Sequence, residues 1–142
     1  MKQGGITIHT DGGSRGNPGP AACAFVAASG EKIIKEESIF LGESTNNHAE
    51  YQGVILALGW IVKSLQKVAG FEICFYLDSE LVVKQLNGKY KVKNQNLRNL
   101  NNEVIRIIKK NDLKIVFKNI SREENVAADL LVNKELDKYT NY

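Results

Sequence analysis

Cysteine and histidine are scarce, with two of each in 142 residues. Cys23 and Cys74 cannot form a disulfide framework or a four-ligand zinc site. Both lie in apolar stretches, where a thiol packs as a small hydrophobe. Two buried free thiols in a reducing compartment are expected. The single tryptophan, Trp60, sits in a helical apolar pattern and is expected in the core rather than as a stacking platform. Long hydrophobic runs are missing too. The longest strongly apolar stretch, Val54 to Val62, falls far short of the ~20 residues a membrane span needs. The opening Met1-Lys2-Gln3-Gly4-Gly5 has no apolar signal core. The expectation is a soluble, cytoplasmic protein with no membrane partner.

The composition is that of a folded domain, 43% hydrophobic and 25% charged. A chain of this length can bury roughly two-thirds of its unfolded surface in one core. Residues 1–142 are therefore read as a single domain. The net charge of +3 hides an uneven distribution. From Lys84 to Lys118 ten basic residues face only Glu103 and Asp112, a local charge of +8, and the remainder carries −5. No carboxylate occurs between Glu80 and Glu103. Concentrated basic charge suits a polyanion, although a solvated lysine-rich surface would look the same.

Ile6 to Thr10 alternates as a half-buried strand and stops at a dense turn segment, Asp11 to Pro20. Ala21 to Ala28 and Ile33 to Leu41 read as two more strands joined at Ser29-Gly30-Glu31. Capping residues at Ser44 to Asn47 open a long helix reaching about Val68. Phe71 to Leu77 is a strand ending at Asp78. Glu80 to Leu86 is a short helix, and Leu97 to Lys109 a longer one. Leu113 to Phe117 is a strand ending near Asn119. Ser121 and Glu124 form a capping box for a last helix to about Tyr139. This order implies an α/β fold: a mixed five-stranded sheet, three antiparallel strands then two parallel, flanked by helices.

In that fold Asp11 and Asp78 end adjacent parallel strands, at the edge where open α/β sheets bind ligands. Glu50, in the first turn of the long helix, overhangs the same edge. Asp129 lies in the last helix beside the small Ala127 and Ala128. Carboxylates that converge repel one another unless a cation sits among them. Hard oxygen ligands suit Mg²⁺ or Mn²⁺, and two such ions can activate a water and stabilise the leaving oxygen of a phosphodiester. Each residue also has a plainer role open to it. The two aspartates could be turn formers, Glu50 a complement to the helix dipole and Asp129 part of a solvated face.

Four blocks in order extend over most of the chain. Thr10-Asp11-Gly12-Gly13-Ser14-Arg15-Gly16-Asn17-Pro18-Gly19-Pro20 resembles the opening signature of type 1 ribonuclease H, as does Thr45-Asn46-Asn47-His48-Ala49-Glu50-Tyr51. Leu77-Asp78-Ser79 with Val82-Val83-Lys84-Gln85-Leu86 is similar to the third block, and Arg122-Glu123-Glu124-Asn125-Val126-Ala127-Ala128-Asp129 to the fourth. The resemblance implies the ribonuclease H-like fold and an endonuclease that cuts the RNA strand of an RNA/DNA hybrid, leaving 5′-phosphate and 3′-hydroxyl ends. It implies two Mg²⁺ ions, with Mn²⁺ as a substitute, held by Asp11, Glu50, Asp78 and Asp129. Asn17, Asn46 and Asn47 match positions near RNA 2′-hydroxyls, the groups that distinguish RNA from DNA. Thr45 and Asn94 match positions near a DNA-strand phosphate.

Some positions depart from the family pattern. Asn119 stands where a mobile loop often carries a His, and an amide cannot take up a proton at neutral pH. The short loop with Lys89, Tyr90, Lys91 and Lys93 stands where some relatives insert a longer basic protrusion, so affinity for hybrid is expected to be modest, or carried partly by Lys109, Lys110 and Lys114. His48 is expected to be an incidental helix-surface residue and His9 a structural one. The whole is read as a short, monomeric form with no separate hybrid-binding domain, and double-stranded RNA stays open as a second substrate. Resolvases and strand-transfer enzymes of related fold, and a non-catalytic hybrid-binding module, are the alternatives.

Overall fold

The computed structural model describes residues 5–64 and 72–140. The strands are β1 (Ile6–Ser14), β2 (Gly19–Ser29), β3 (Lys32–Ser44), β4 (Glu72–Leu77) and β5 (Lys114–Asn119). The helices are α1 (Asn46–Ser64), α2 (Glu80–Leu86), α3 (Gln95–Lys110) and α4 (Val126–Thr140). The sheet order is β3-β2-β1-β4-β5, with β3-β2-β1 antiparallel and β1-β4-β5 parallel. The mixed sheet of the sequence reading is thus present. The expected helix beyond Ser64 and the start of β4 at Phe71 lie outside the described residues.

Strand β2 is buried from Ala21 to Ala27 because both its faces are covered. On one face Ala22 and Ala24 meet Val132 and Leu136 of α4. On the other, Phe25 and Ala27 join Ile8, Tyr51, Val54, Leu58 and Phe75 in the main core. Helix α1 lies on this second face, presenting Ala49, Gly53, Val54, Ala57, Leu58 and Ile61, the spacing of one helical stripe. Helix α3 adds Leu97, Asn101 and Val104. Tyr51, Gln85 and Asn101 tie α1, α2 and α3 together inside the core. The Tyr51 hydroxyl donates to Gln85 Oε1 at 2.8 Å, and Asn101 Nδ2 donates to the Tyr51 oxygen at 3.2 Å.

Several boundaries differ from expectation, for tertiary reasons. Strand β1 continues through Asp11-Gly12-Gly13-Ser14, because β2 supplies ladder partners as far as Ser14↔Ala21. Asp11 is therefore inside the strand rather than at its end. It still marks the sheet edge, since the β1–β4 ladder stops at His9↔Tyr76. Glu50 is not in the first turn of α1, which starts at Asn46 and has no acidic residue there. Its role as a dipole complement falls away. The Ser121–Glu124 capping box opens only a 3-10 turn, Arg122–Glu124, and α4 begins separately at Val126. Asn125, 1% exposed, separates the two. Asn119 is the last residue of β5 rather than a loop residue. Cys23 is buried, but Cys74 only partly. Trp60 is also partly buried, packing on Phe25 with ring centroids 5.6 Å apart. His9 stacks on Tyr76 at 5.0 Å, the structural role expected of it.

Candidate active site

Two small-residue contacts bring α1 onto β1. A Cβ at Gly12 would run into the Ala49 carbonyl, and one at Gly53 would lie 2.9 Å from the Asp11 carbonyl oxygen. The helix crosses directly over Asp11 because neither glycine has a side chain. That crossing places Glu50 beside it. Asp78 follows immediately from the end of β4, the parallel neighbour of β1. One carboxylate oxygen from each of Asp11, Glu50 and Asp78 lies within 4.8 Å of the others. Asp129 stands outside this tight trio, in the first turn of α4, and lines the same cavity of about 470 Å³. It lies near enough to Asp11 to help raise that carboxyl.

The electrostatics follow from burial. Asp11 and Glu50 are 6% and 7% exposed. Burial first, then the Asp78 charge, pushes the Asp11 carboxyl up to about 8; the Gly12 N–H opposes this and Asp129 adds to it. Glu50 is raised well above the usual carboxylate range by burial, then by Asp11 and Asp78, with Arg122 and the Gly12 N–H opposing. Glu50 Oε1 is buried without a hydrogen-bond partner. A buried acceptor left unpaired is costly. A divalent cation would satisfy that oxygen and cancel the repulsion, and an all-carboxylate donor set suits a hard ion. The residues present thus fit the implied metal.

Asn125 and Arg122 were assigned no part from sequence. Asn125 Nδ2 donates to the Thr10 carbonyl at 2.9 Å and to Asp78 Oδ2 at 3.2 Å. It fixes one wall of the site to another and orients a carboxylate. Arg122 lines the cavity, and its charge opposes the rise in the Glu50 carboxyl. Both belong to the fourth sequence block; Asn125 is buried, while Arg122 stays exposed at the cavity rim. Arg15 also lines the cavity and anchors its loop to α4, 2.7 Å from Asp137.

The expected substrate contacts cluster beside the carboxylates. Asn17 Oδ1 accepts from the Asn46 N–H at 3.0 Å, and Asn46 Oδ1 accepts from the Ser14 N–H at 2.8 Å. The two side chains bridge the β1–β2 loop to α1 through their oxygens, leaving their NH₂ groups for another partner. Asn46 and Asn47 line the carboxylate cavity. Asn47 also lines a neighbouring cavity of about 310 Å³, together with Asn17, Thr45 and Asn94. Both expected contact sets therefore converge. Asn94 caps α3, its Oδ1 accepting from the Leu97 N–H at 3.0 Å. His48, expected to be incidental, lies in the wall of this second cavity with Nδ1 2.7 Å from Ser44 Oγ. Lys89, Lys91 and Lys93 are exposed in the loop between α2 and α3, and Lys91 and Lys93 border a third cavity with Tyr90 and Arg98. Asn119 does not line the carboxylate cavity; its Nδ2 donates to the Leu77 carbonyl at 3.1 Å.

Comparison with known proteins bears on the fold and the family. A family described as reverse transcriptase-like matches residues 9–135. The crystal structure of LC11-RNase H1 in complex with RNA/DNA hybrid superimposes with a TM-score of 0.90 at 40% identity, covering 94% of this chain and 97% of that one. RNase H1 from the halophilic archaeon Halobacterium salinarum gives a TM-score of 0.85 at 36% identity, with 95% and 99% covered. The bifunctional protein Rv2228c of Mycobacterium tuberculosis is 36% identical over 134 residues, 93% of this chain. The chain spans only 35% of that relative's length. The matched family, the shared fold and the near-complete overlap with these ribonucleases place the chain in the type 1 ribonuclease H family.

Proposed function

We propose that the chain is a metal-dependent endonuclease that hydrolyses the RNA strand of RNA/DNA hybrids. The observation that carries this reading is the trio Asp11, Glu50 and Asp78, with oxygens within 4.8 Å and the buried Glu50 Oε1 unpartnered. With Asp129, these residues would hold two divalent cations, Mg²⁺ in the first instance and Mn²⁺ as a substitute. Bound there, the ions supply water activation and stabilisation of the leaving 3′-oxygen, which leaves 5′-phosphate and 3′-hydroxyl ends.

The chain's own residues do the rest. Asn125 holds Asp78 in place through its 3.2 Å hydrogen bond. The free NH₂ groups of Asn17 and Asn46, with Asn47, meet 2′-hydroxyls in the wide minor groove of the hybrid. Thr45 and Asn94 position the DNA strand by a phosphate. Lys89, Lys91 and Lys93 attract the polyanion without reading its sequence. The described residues form one catalytic unit for this purpose, and the working form is a monomer in the cytoplasm.

A side-by-side assay tests the reading, using hybrid, double-stranded RNA and double-stranded DNA with Mg²⁺, Mn²⁺ or chelator. The RNA strand of the hybrid is cut with either metal and not with chelator, and the DNA duplex survives. Cleavage of duplex DNA with the hybrid left intact would instead assign a resolvase-type activity. Tight hybrid binding without cleavage in either metal would make the chain a binding module.

A further inference from the structure

The cavity beside the carboxylates differs from them in chemistry. Its wall holds the Ser44 and Thr45 hydroxyls, the Asn47 and Asn94 amides and the His48 imidazole, and no carboxylate. Two helices begin in that wall. Thr45 precedes α1, with its carbonyl accepting from the Ala49 N–H at 3.0 Å, and Asn94 caps α3. First-turn amides without intrahelical partners make such ends favourable to negative charge. The side chains are already partly committed. Thr45 Oγ1 accepts from the His48 N–H at 3.3 Å, so its own proton is free to be donated outward. Asn94 uses its oxygen as a cap, leaving its NH₂ group. The ring of His48 is keyed by the 2.7 Å contact between Nδ1 and Ser44 Oγ.

We infer that His48, held by Ser44, is a further phosphate-binding residue, donating its Nε2–H to a DNA-strand phosphodiester held in this cavity with Thr45 and Asn94. In this arrangement the Ser44 hydroxyl donates to Nδ1. The neutral ring then carries its proton on Nε2 and presents it as a donor. Three donors from three different residues converge on one anion, and the absence of carboxylate in the wall removes any electrostatic objection. Asn47, shared with the catalytic cavity, sets the phosphate next to the reacting strand but apart from the metals. The inference rests on the hybrid-cleaving reading and deepens it. It makes His48 a determinant of which strand docks where.

The test pairs His48 variants with hybrids carrying a single uncharged methylphosphonate, walked along the DNA strand and then along the RNA strand. For His48→Ala the expected result is a KM raised about tenfold, as for loss of one hydrogen bond to a charged group, with kcat held within about twofold. One DNA-strand methylphosphonate should raise the wild-type KM and raise that of His48→Ala by a clearly smaller factor, because only Thr45 and Asn94 then meet the phosphate. His48→Gln, which retains a side-chain N–H, should recover part of the loss, and Ser44→Ala should move KM in the same direction by less. Thermal melts matching wild type establish that the variants fold. An unchanged KM in His48→Ala overturns the inference. So does a methylphosphonate penalty that persists in full in the variant, or one that maps to the RNA strand. A wild-type protein that cleaves while His48→Ala behaves identically defeats this inference alone; a wild-type protein that does not cleave defeats the function itself.

Discussion

At the scale of single residues the site is built from groups that are uncomfortable alone. Asp11 is raised to about 8 from 3.8, and Glu50 is raised with it. In the metal-free protein both therefore hold protons that the unfolded chain would release. A carboxyl whose folded value is raised adds stability below its unfolded value and loses that contribution as pH rises through its folded value. Melts of chelated protein should accordingly show Tm falling between about pH 4 and pH 8, and Asp11→Asn should flatten the fall. Added Mg²⁺ should restore Tm at the alkaline end, because metal binding requires the deprotonated ligands. A Tm rising over that window would contradict the assignment. Asn125 makes a second case. Replacing it with Ala strands the buried Thr10 carbonyl and frees Asp78. The expected cost is about 1–3 kcal/mol of stability in a denaturant titration, with kcat down tenfold or more. A variant with unchanged kcat would show that Asp78 needs no such support.

Among the elements, the crossing of α1 over β1 decides the geometry. Gly53→Ala places a methyl 2.9 Å from the Asp11 carbonyl, tighter than real side chains tolerate. The helix must shift by a few tenths of an ångström, carrying Glu50 with it. Cleavage should fall at least tenfold while the protein still melts cooperatively; full activity would mean that the spacing between Glu50 and Asp11 is not critical. Sequence reasoning saw most of these elements but not their junctions. Helix α2 was legible from end to end, Glu80 to Leu86, because its cap Ser79 and its breakers Asn87-Gly88 are local signals. The continuation of β1 through Asp11-Gly12-Gly13 was not, since it depends on ladder partners 9 to 13 residues away in β2 and local turn propensity points the other way. Likewise the capping box at Ser121 was correctly identified but serves a single 3-10 turn. Asn125 stops it there, by bonding to β1 and to Asp78. The four carboxylates were legible as a set. That three of them form a tight trio while Asp129 stands slightly apart could be settled only by packing.

For the whole molecule, the charge pattern acquires a direction. The basic segment from Lys84 to Lys118 is not one surface. Lys89, Lys91 and Lys93 precede α3, where Lys91 and Lys93 border the cavity with Tyr90 and Arg98, whereas Lys109 and Lys110 occupy its last turn. Fifteen residues at 1.5 Å each put these two ends roughly 22 Å apart. We propose that the loop carries most of the hybrid binding and that the share expected of Lys109, Lys110 and Lys114 is the smaller one. Substituting Lys91 and Lys93 with Gln should weaken hybrid binding and reduce the salt slope by about two, whereas the same change at Lys109 and Lys110 should leave the slope nearly intact. Equal effects from both pairs would refute a directional surface. Under the proposed function, two divalent ions would turn the formal +3 into +7, so the chain would meet a polyanion with more positive charge. The central claim is that four carboxylates, led by Asp11, bind the metals for cutting RNA in a hybrid. The most direct measurement is Mg²⁺-dependent cleavage of a hybrid labelled on its RNA strand, by wild type and by Asp11→Asn with an unchanged circular dichroism spectrum. Cleavage by the first and none by the second is the predicted result; equal cleavage by both would contradict it.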